Sequence, residues 1–162
     1  MDETVATPRD VVIYLDADAC PVKDEAYKVA RRYGLKVFIV ANSPMGIPKD
    51  ANFELVVQTG FGAADDWIAA RCGPGDVAVT ADVPLAARCV ANGSTVLDPR
   101  GRKLTDGNVG AALATRNLME ELRQSGTVTG GPAAFTAKDR SRFLSSLDEA
   151  VHAGRRVLRS RT

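Results

Sequence analysis

The chain has 162 residues, 45% of them apolar and 25% charged, which bounds it to one ordinary globular core. With 21 basic against 20 acidic side chains the net charge is +1, so no strong overall field points to nucleic acid or to a membrane surface. No run is apolar enough to span a bilayer, Met1 to Asp10 lacks the apolar core of a signal peptide, and Cys20, Cys72 and Cys89 form no C-x-x-C pair. These features argue against a membrane span, a disulfide framework and a zinc site, and predict a cytoplasmic protein with reduced thiols.

Residues 1–10 read as a flexible tail, 11–152 as a single domain and 153–162 as a basic C-terminal tail. Val11 to Leu15 is an uncharged, mostly β-branched or aromatic run, the pattern of a strand buried on both faces of a parallel sheet. Asp16 and Asp18 follow it, and Pro21 predicts the first turn of an amphipathic helix that runs to Tyr33 and stops at Gly34. Lys36 to Ala41 predicts a second buried strand, and Asn42 to Asn52 a Pro/Gly/Asn-rich loop. A shorter strand is expected over Phe53 to Gln58, then a turn through Gly60 and Gly62 into a short helix carrying Asp65, Asp66, Trp67 and Ile68. Asp76 to Thr80 predicts the fourth strand, with Pro84 just inside the helix after it, and Ser94 to Leu97 the fifth. A basic loop from Asp98 to Lys103 leads to helices over about 108–124 and from Thr136-x-x-Asp139 onward. Strands alternating with helices, then helices alone, predict a parallel α/β sheet of about five strands with a helical C-terminal cover.

In such sheets ligands sit beyond the carboxyl ends of the strands, and there this chain places Asp16, Asp18, Asp65, Asp66 and Asp82. Two carboxylates about 4 Å apart repel by roughly 4 kcal/mol at an effective dielectric near 20, so several in one pocket need protons or cations. An oxygen-only set without histidine suits Mg²⁺ or Mn²⁺, which can activate a water and steady charge on a phosphoryl oxygen. The competing reading is that each aspartate caps the helix beside it.

The strings DADACPVKDEA, VANS, ADDWIA, GDVAVTADVPLAARCVANG, LDPRG and GGPAAFTAKDRSRF resemble the YaiI/YqxD family of small bacterial proteins, in order over nearly the whole chain. That family is similar in turn to PIN and NYN-like nuclease domains. The resemblance implies a three-layer PIN-like α/β fold and a Mg²⁺- or Mn²⁺-dependent ribonuclease or phosphodiesterase acting on single-stranded RNA. It implies acidic ligands at Asp16, Asp65 and Asp82, with Thr80 as polar partner and Asp18 as an extra carboxylate. PIN-type nucleases often carry a further acid after the fourth strand's Asp. Pro84 to Ala87 offers none, and Asp98 is the nearest substitute.

Asn42 and Ser43 end the second strand and are candidates to touch a phosphate or a metal-bound water. Arg100, Lys103 and Arg116 are candidates to hold a phosphate backbone, against the alternative of a solvated basic surface. Trp67 is expected in the core. Two other functions remain open: a PIN-like domain that binds RNA or protein without cutting, and a haloacid-dehalogenase-like phosphatase using Asp16 and Asp18. The phosphatase reading is weakened because Asp65 and Asp66 precede Thr80, whereas that class places its metal-binding acids last. Cys20 as a nucleophile lacks the arginine-closed phosphate loop such chemistry requires.

Overall fold

The structure, a computed structural model, describes residues 9–129 and 134–161. Its strands and helices alternate as β1 (Val12–Asp16), α1 (Lys23–Tyr33), β2 (Lys36–Ala41), β3 (Phe53–Val57), α2 (Ala63–Arg71), β4 (Val77–Val79), α3 (Val83–Ala91) and β5 (Thr95–Leu97). Then come β6 (Lys103–Leu104), α4 (Val109–Gln124) and α5 (Ala137–Ser160). The strands form one sheet in the order β3-β2-β1-β4-β5-β6, parallel throughout except for β6. The sheet therefore has six strands rather than about five.

Alternation along β1 explains the three layers, since successive side chains point to opposite faces. Ile13 and Leu15 join a core with Val29 and Ala30 of α1 and Phe143, Leu147 and Val151 of α5. Tyr14 joins the opposite core with Ile68 of α2 and Leu85, Ala86 and Cys89 of α3. The chain leaves β1 toward β2 and β3 on one side, then returns to lay β4 on the other. This reversal of strand order makes a crevice between the carboxyl ends of β1 and β4, the usual ligand position in open α/β sheets. Register aligns the two ends: Leu15 pairs with Val79, and Asp16 with Val40 of β2.

Three sequence expectations shift. Helix α1 begins at Lys23 with Val22 as N-cap, so Pro21 lies in the turn before it, not in its first turn. The basic loop hides β6, held in a hairpin because the Asp98 carboxylate accepts from the N–H groups of Arg100 and Arg102. Helix α5 continues through residues 153–160, read from sequence as part of a tail, because Leu158 is buried and Arg155 forms a bidentate ion pair with Asp10. Its start is as expected: Thr136 and Asp139 make a reciprocal capping box. Among the described residues no helix is long and apolar enough to cross a membrane.

Candidate functional site

The crevice opens into a pocket of about 380 Å³ lined by Asp16, Asp18, Asn42, Asp65 and Asp82 together with the backbone-rich positions Ala19, Gly62, Ala64 and Ala81. Four carboxylates from three strand-to-helix segments thus meet at one place. Each arrives by a local rule. Asp16 closes β1, and its Oδ2 accepts from the Thr80 hydroxyl at 2.7 Å. Thr80, buried at the end of β4, in turn accepts from the Asp82 N–H at 3.0 Å. Asp18 accepts from the Asn42 N–H at 3.0 Å, which ties the β1 loop to the end of β2. Asp65 stands in the first turn of α2, where the helix dipole favours an anion.

The helix-cap reading accounts for one of the four. Asp82 is the N-cap of α3, its Oδ1 accepting from Leu85 N–H at 2.9 Å. Val22 caps α1 and Gly62 caps α2, neither with a side-chain hydrogen bond. Asp16, Asp18 and Asp65 therefore point into the pocket without capping anything.

Electrostatics record the crowding. Burial, opposed by the Thr80 hydrogen bond and reinforced by the charges of Asp65, Asp82 and Asp18, pushes the Asp16 carboxyl up to about 6. Burial and then Asp82 raise Asp65 as well. No lysine or arginine lines the pocket. Among the described residues no three His, Cys, Asp or Glu side chains stand close enough together to ligate one ion, so the carboxylates surround a space rather than form a closed cage.

The remaining candidates scatter. Ser43 is exposed outside the pocket lining. Arg100 is bound to Asp139 of α5 at 2.8 Å and lies over Phe135. Lys103 lines a separate cavity of about 550 Å³ against α5, beside Ser146, Glu149, His152 and Arg156. Arg116 is exposed on α4 and donates to its neighbour Asn117. Trp67 packs edge-on to Phe38 at 5.2 Å with Arg71 stacked on its outer face at 4.1 Å, as a core-flanking residue. Burial pushes the Cys20 thiol up, the opposite of an activated nucleophile.

Two features of the pocket rim carried no decisive sequence signal. Ala19 holds φ at 58°, the one non-glycine among the described residues in the left-handed region. Phe61, between Gly60 and Gly62, is fully exposed.

Residues 14–153 match the family described as "Uncharacterized BCR, YaiI/YqxD family". A UPF0178 protein of Azorhizobium caulinodans is 54% identical over 147 residues, covering 90% of this chain and 92% of its own. Another, from Rhodopseudomonas palustris strain BisB18, is 55% identical over 149 residues, 91% of this chain and 94% of its own. The UPF0178 protein RC1_2062 of Rhodospirillum centenum is 54% identical over 149 residues, 89% and 97% of the two chains. No solved structure matches. With the match running from β1 into α5, and the relatives more than half identical over about nine-tenths of the chain, the chain belongs to the YaiI/YqxD family.

Proposed function

We propose that this protein is a Mg²⁺- or Mn²⁺-dependent phosphodiesterase of the PIN-like type that hydrolyses single-stranded RNA in the cytoplasm. The observation that carries the reading is the gathering of Asp16, Asp18, Asp65 and Asp82 in one pocket, with no lysine or arginine in its lining, at the point where strand order reverses. Helix capping does not explain Asp16, Asp18 and Asp65, and burial with the nearby carboxylates raises the proton affinity of Asp16 and Asp65. Three unpaired thiols fit a reducing compartment.

Asp16 and Asp82 would hold the ion directly, with Asp18 and Asp65 reaching it through its waters or acting as bases. When bound, the ion would supply a water of lowered pKa and charge neutralisation at a phosphoryl oxygen. The chain's own groups do the positioning. Thr80 fixes one oxygen of Asp16 and, through the Asp82 N–H, sets the turn that aims Asp82 inward. Asp82 commits Oδ1 to the α3 cap and leaves Oδ2 for the pocket. Asp16, pushed up to about 6, is still ionised at neutral pH and so would be available as a ligand, while Asp65, whose carboxyl burial also raises, would take the proton of an attacking water. Asn42, which lines the pocket, would meet a phosphate oxygen.

The test is calorimetric Mn²⁺ titration of the wild type and of the Asp16→Asn/Asp82→Asn double variant, beside cleavage of labelled single-stranded RNA. Asparagine retains both the Thr80 contact and N-cap competence, so the double variant is expected to fold. Saturable binding and metal-dependent cleavage, both lost in the variant, are the expected result. A wild type that binds no Mn²⁺ would return the aspartates to structural roles and leave a non-catalytic domain.

A further inference from the structure

The acidic pocket presents a polyanionic substrate with four carboxylates and no lysine or arginine in its lining, so an uncharged contact at its edge would add attraction that the lining itself does not supply. Its rim carries one. Phe61 sits at the apex of the turn from β3 into α2, directly before Gly62 of the pocket lining and four residues before Asp65. Its side chain touches nothing: its relative exposure is 107%, against 54% for Leu118 and 39% for Val157, the other exposed large apolar residues among those described. The flanking backbone holds it there. Gly60 and Gly62 have φ of 110° and 71°, values an L side chain rarely adopts, and together they turn the chain so that Phe61 projects while Asp65 enters the pocket.

The other aromatic residues of the described chain that lie near the sheet are engaged in packing. Trp67, Tyr14 and Phe38 stack among themselves, as do Tyr27 and Phe53. Phe61 is held out in solvent, one residue before the pocket's Gly62.

We infer that Phe61 is a stacking platform for an unpaired base next to the scissile phosphate, which makes the substrate of this pocket a single-stranded, base-bearing chain rather than a simple phosphate ester or a duplex. This rests on the hydrolytic reading above and names its substrate class. Every base has a π-face, so such a platform selects for strandedness and tolerates sequence. A duplex keeps its bases stacked within itself and offers none to the rim.

The experiment compares wild type, Phe61→Ala and Phe61→Trp, each in Mn²⁺, for anisotropy binding of a fluorescein-labelled oligouridylate and of a ribose-phosphate chain of equal length without bases. Cleavage of the oligouridylate is followed in parallel. Expected are a loss of oligouridylate affinity of about tenfold or more in Phe61→Ala, retention in Phe61→Trp, and equal binding of the abasic chain by all three. Unchanged thermal unfolding of Phe61→Ala, natural for a side chain with no contacts, would complete that pattern. Equal oligouridylate binding by wild type and Phe61→Ala overturns the stacking assignment, as does an equal loss for the abasic chain. Phe61-dependent binding without cleavage by the wild type upholds stacking and removes the hydrolytic reading. Cleavage with Phe61-independent binding does the reverse, and a wild type that binds no oligouridylate overturns stacking outright.

Discussion

Asp16 is stored in an unfavourable state, and its titration makes that measurable. Its folded pKa of about 6 lies above the usual 3.8, so between those values the folded protein binds more protons than the unfolded chain. Stability contributed by the protonated form is therefore fully present below about pH 4 and is lost as pH rises through 6. The shift corresponds to a penalty of up to about 3 kcal/mol at neutral pH. Asp16→Asn removes the titrating group and keeps an acceptor for Thr80, so chemical denaturation at pH 7.5 should find it more stable than wild type by about 1–3 kcal/mol. At pH 4 the two should converge, and an Asn variant less stable at both pH values would show that burial and neighbouring charge do not penalise the Asp16 carboxylate. Ala19 offers a second residue-level check. A left-handed backbone costs an alanine about 1 kcal/mol that glycine avoids, so Ala19→Gly should raise stability by up to that amount, read from the denaturation midpoint. The four pocket carboxylates were legible in the sequence because each follows a strand. Arg100 was not, because its partner Asp139 lies thirty-nine residues away and is presented by a capping box whose place beside the loop only the tertiary fold decides.

At the scale of elements, sequence patterns were reliable where one residue type has one physical use. Lys36 to Ala41 is a strand at both ends as expected, Gly34 ends α1 in a left-handed cap, and Pro84 sits in the first turn of α3. The pattern failed where pairing rather than composition makes the element. Lys103 and Leu104 have no strand signature, and they become β6 only because the Asp98 turn brings them antiparallel to Leu97 and Val96. Pro21 misled because the turn at Ala17 to Cys20, which carries Asp18 into the pocket, delays α1 by two residues. Helix α3 separates cap from site. Asp82 serves both, so Asp82→Ala should cost about 1 kcal/mol through the lost Leu85 bond, whereas Asp82→Asn should cost a few tenths at most. Measured beside Mn²⁺ binding, the pair divides the two roles: both variants should lose metal affinity, while only alanine should lose helix stability. Retained Mn²⁺ affinity in Asp82→Asn would confine this residue to its cap.

For the whole molecule, the carboxyl edge of the sheet is a place where folding energy is sacrificed and binding energy recovered. Two apolar cores on opposite faces hold the strands in register whatever the pocket contains, so repulsion among Asp16, Asp18, Asp65 and Asp82 is tolerated rather than relieved by rearrangement. A ligand that binds only the folded state stabilises it by mass action, about 2.7 kcal/mol at a hundred times its dissociation constant. Global stability in Mn²⁺ should therefore cross between two proteins. Without metal, Asp16→Asn unfolds at a higher temperature than wild type, since a charge disfavoured by burial and then by its neighbours is gone. In saturating Mn²⁺ the wild type gains and the variant gains little, so the order reverses. Helix capping or turn formation predicts no such crossing, because neither depends on the ion and neither makes the wild type the less stable partner in its absence. A scanning-calorimetry series over Mn²⁺ concentration at pH 7.5 reads both effects in one experiment. Parallel curves would mean that the aspartates are structural, whereas a crossing would mean that this edge of the sheet was built for a cation at the expense of the empty fold.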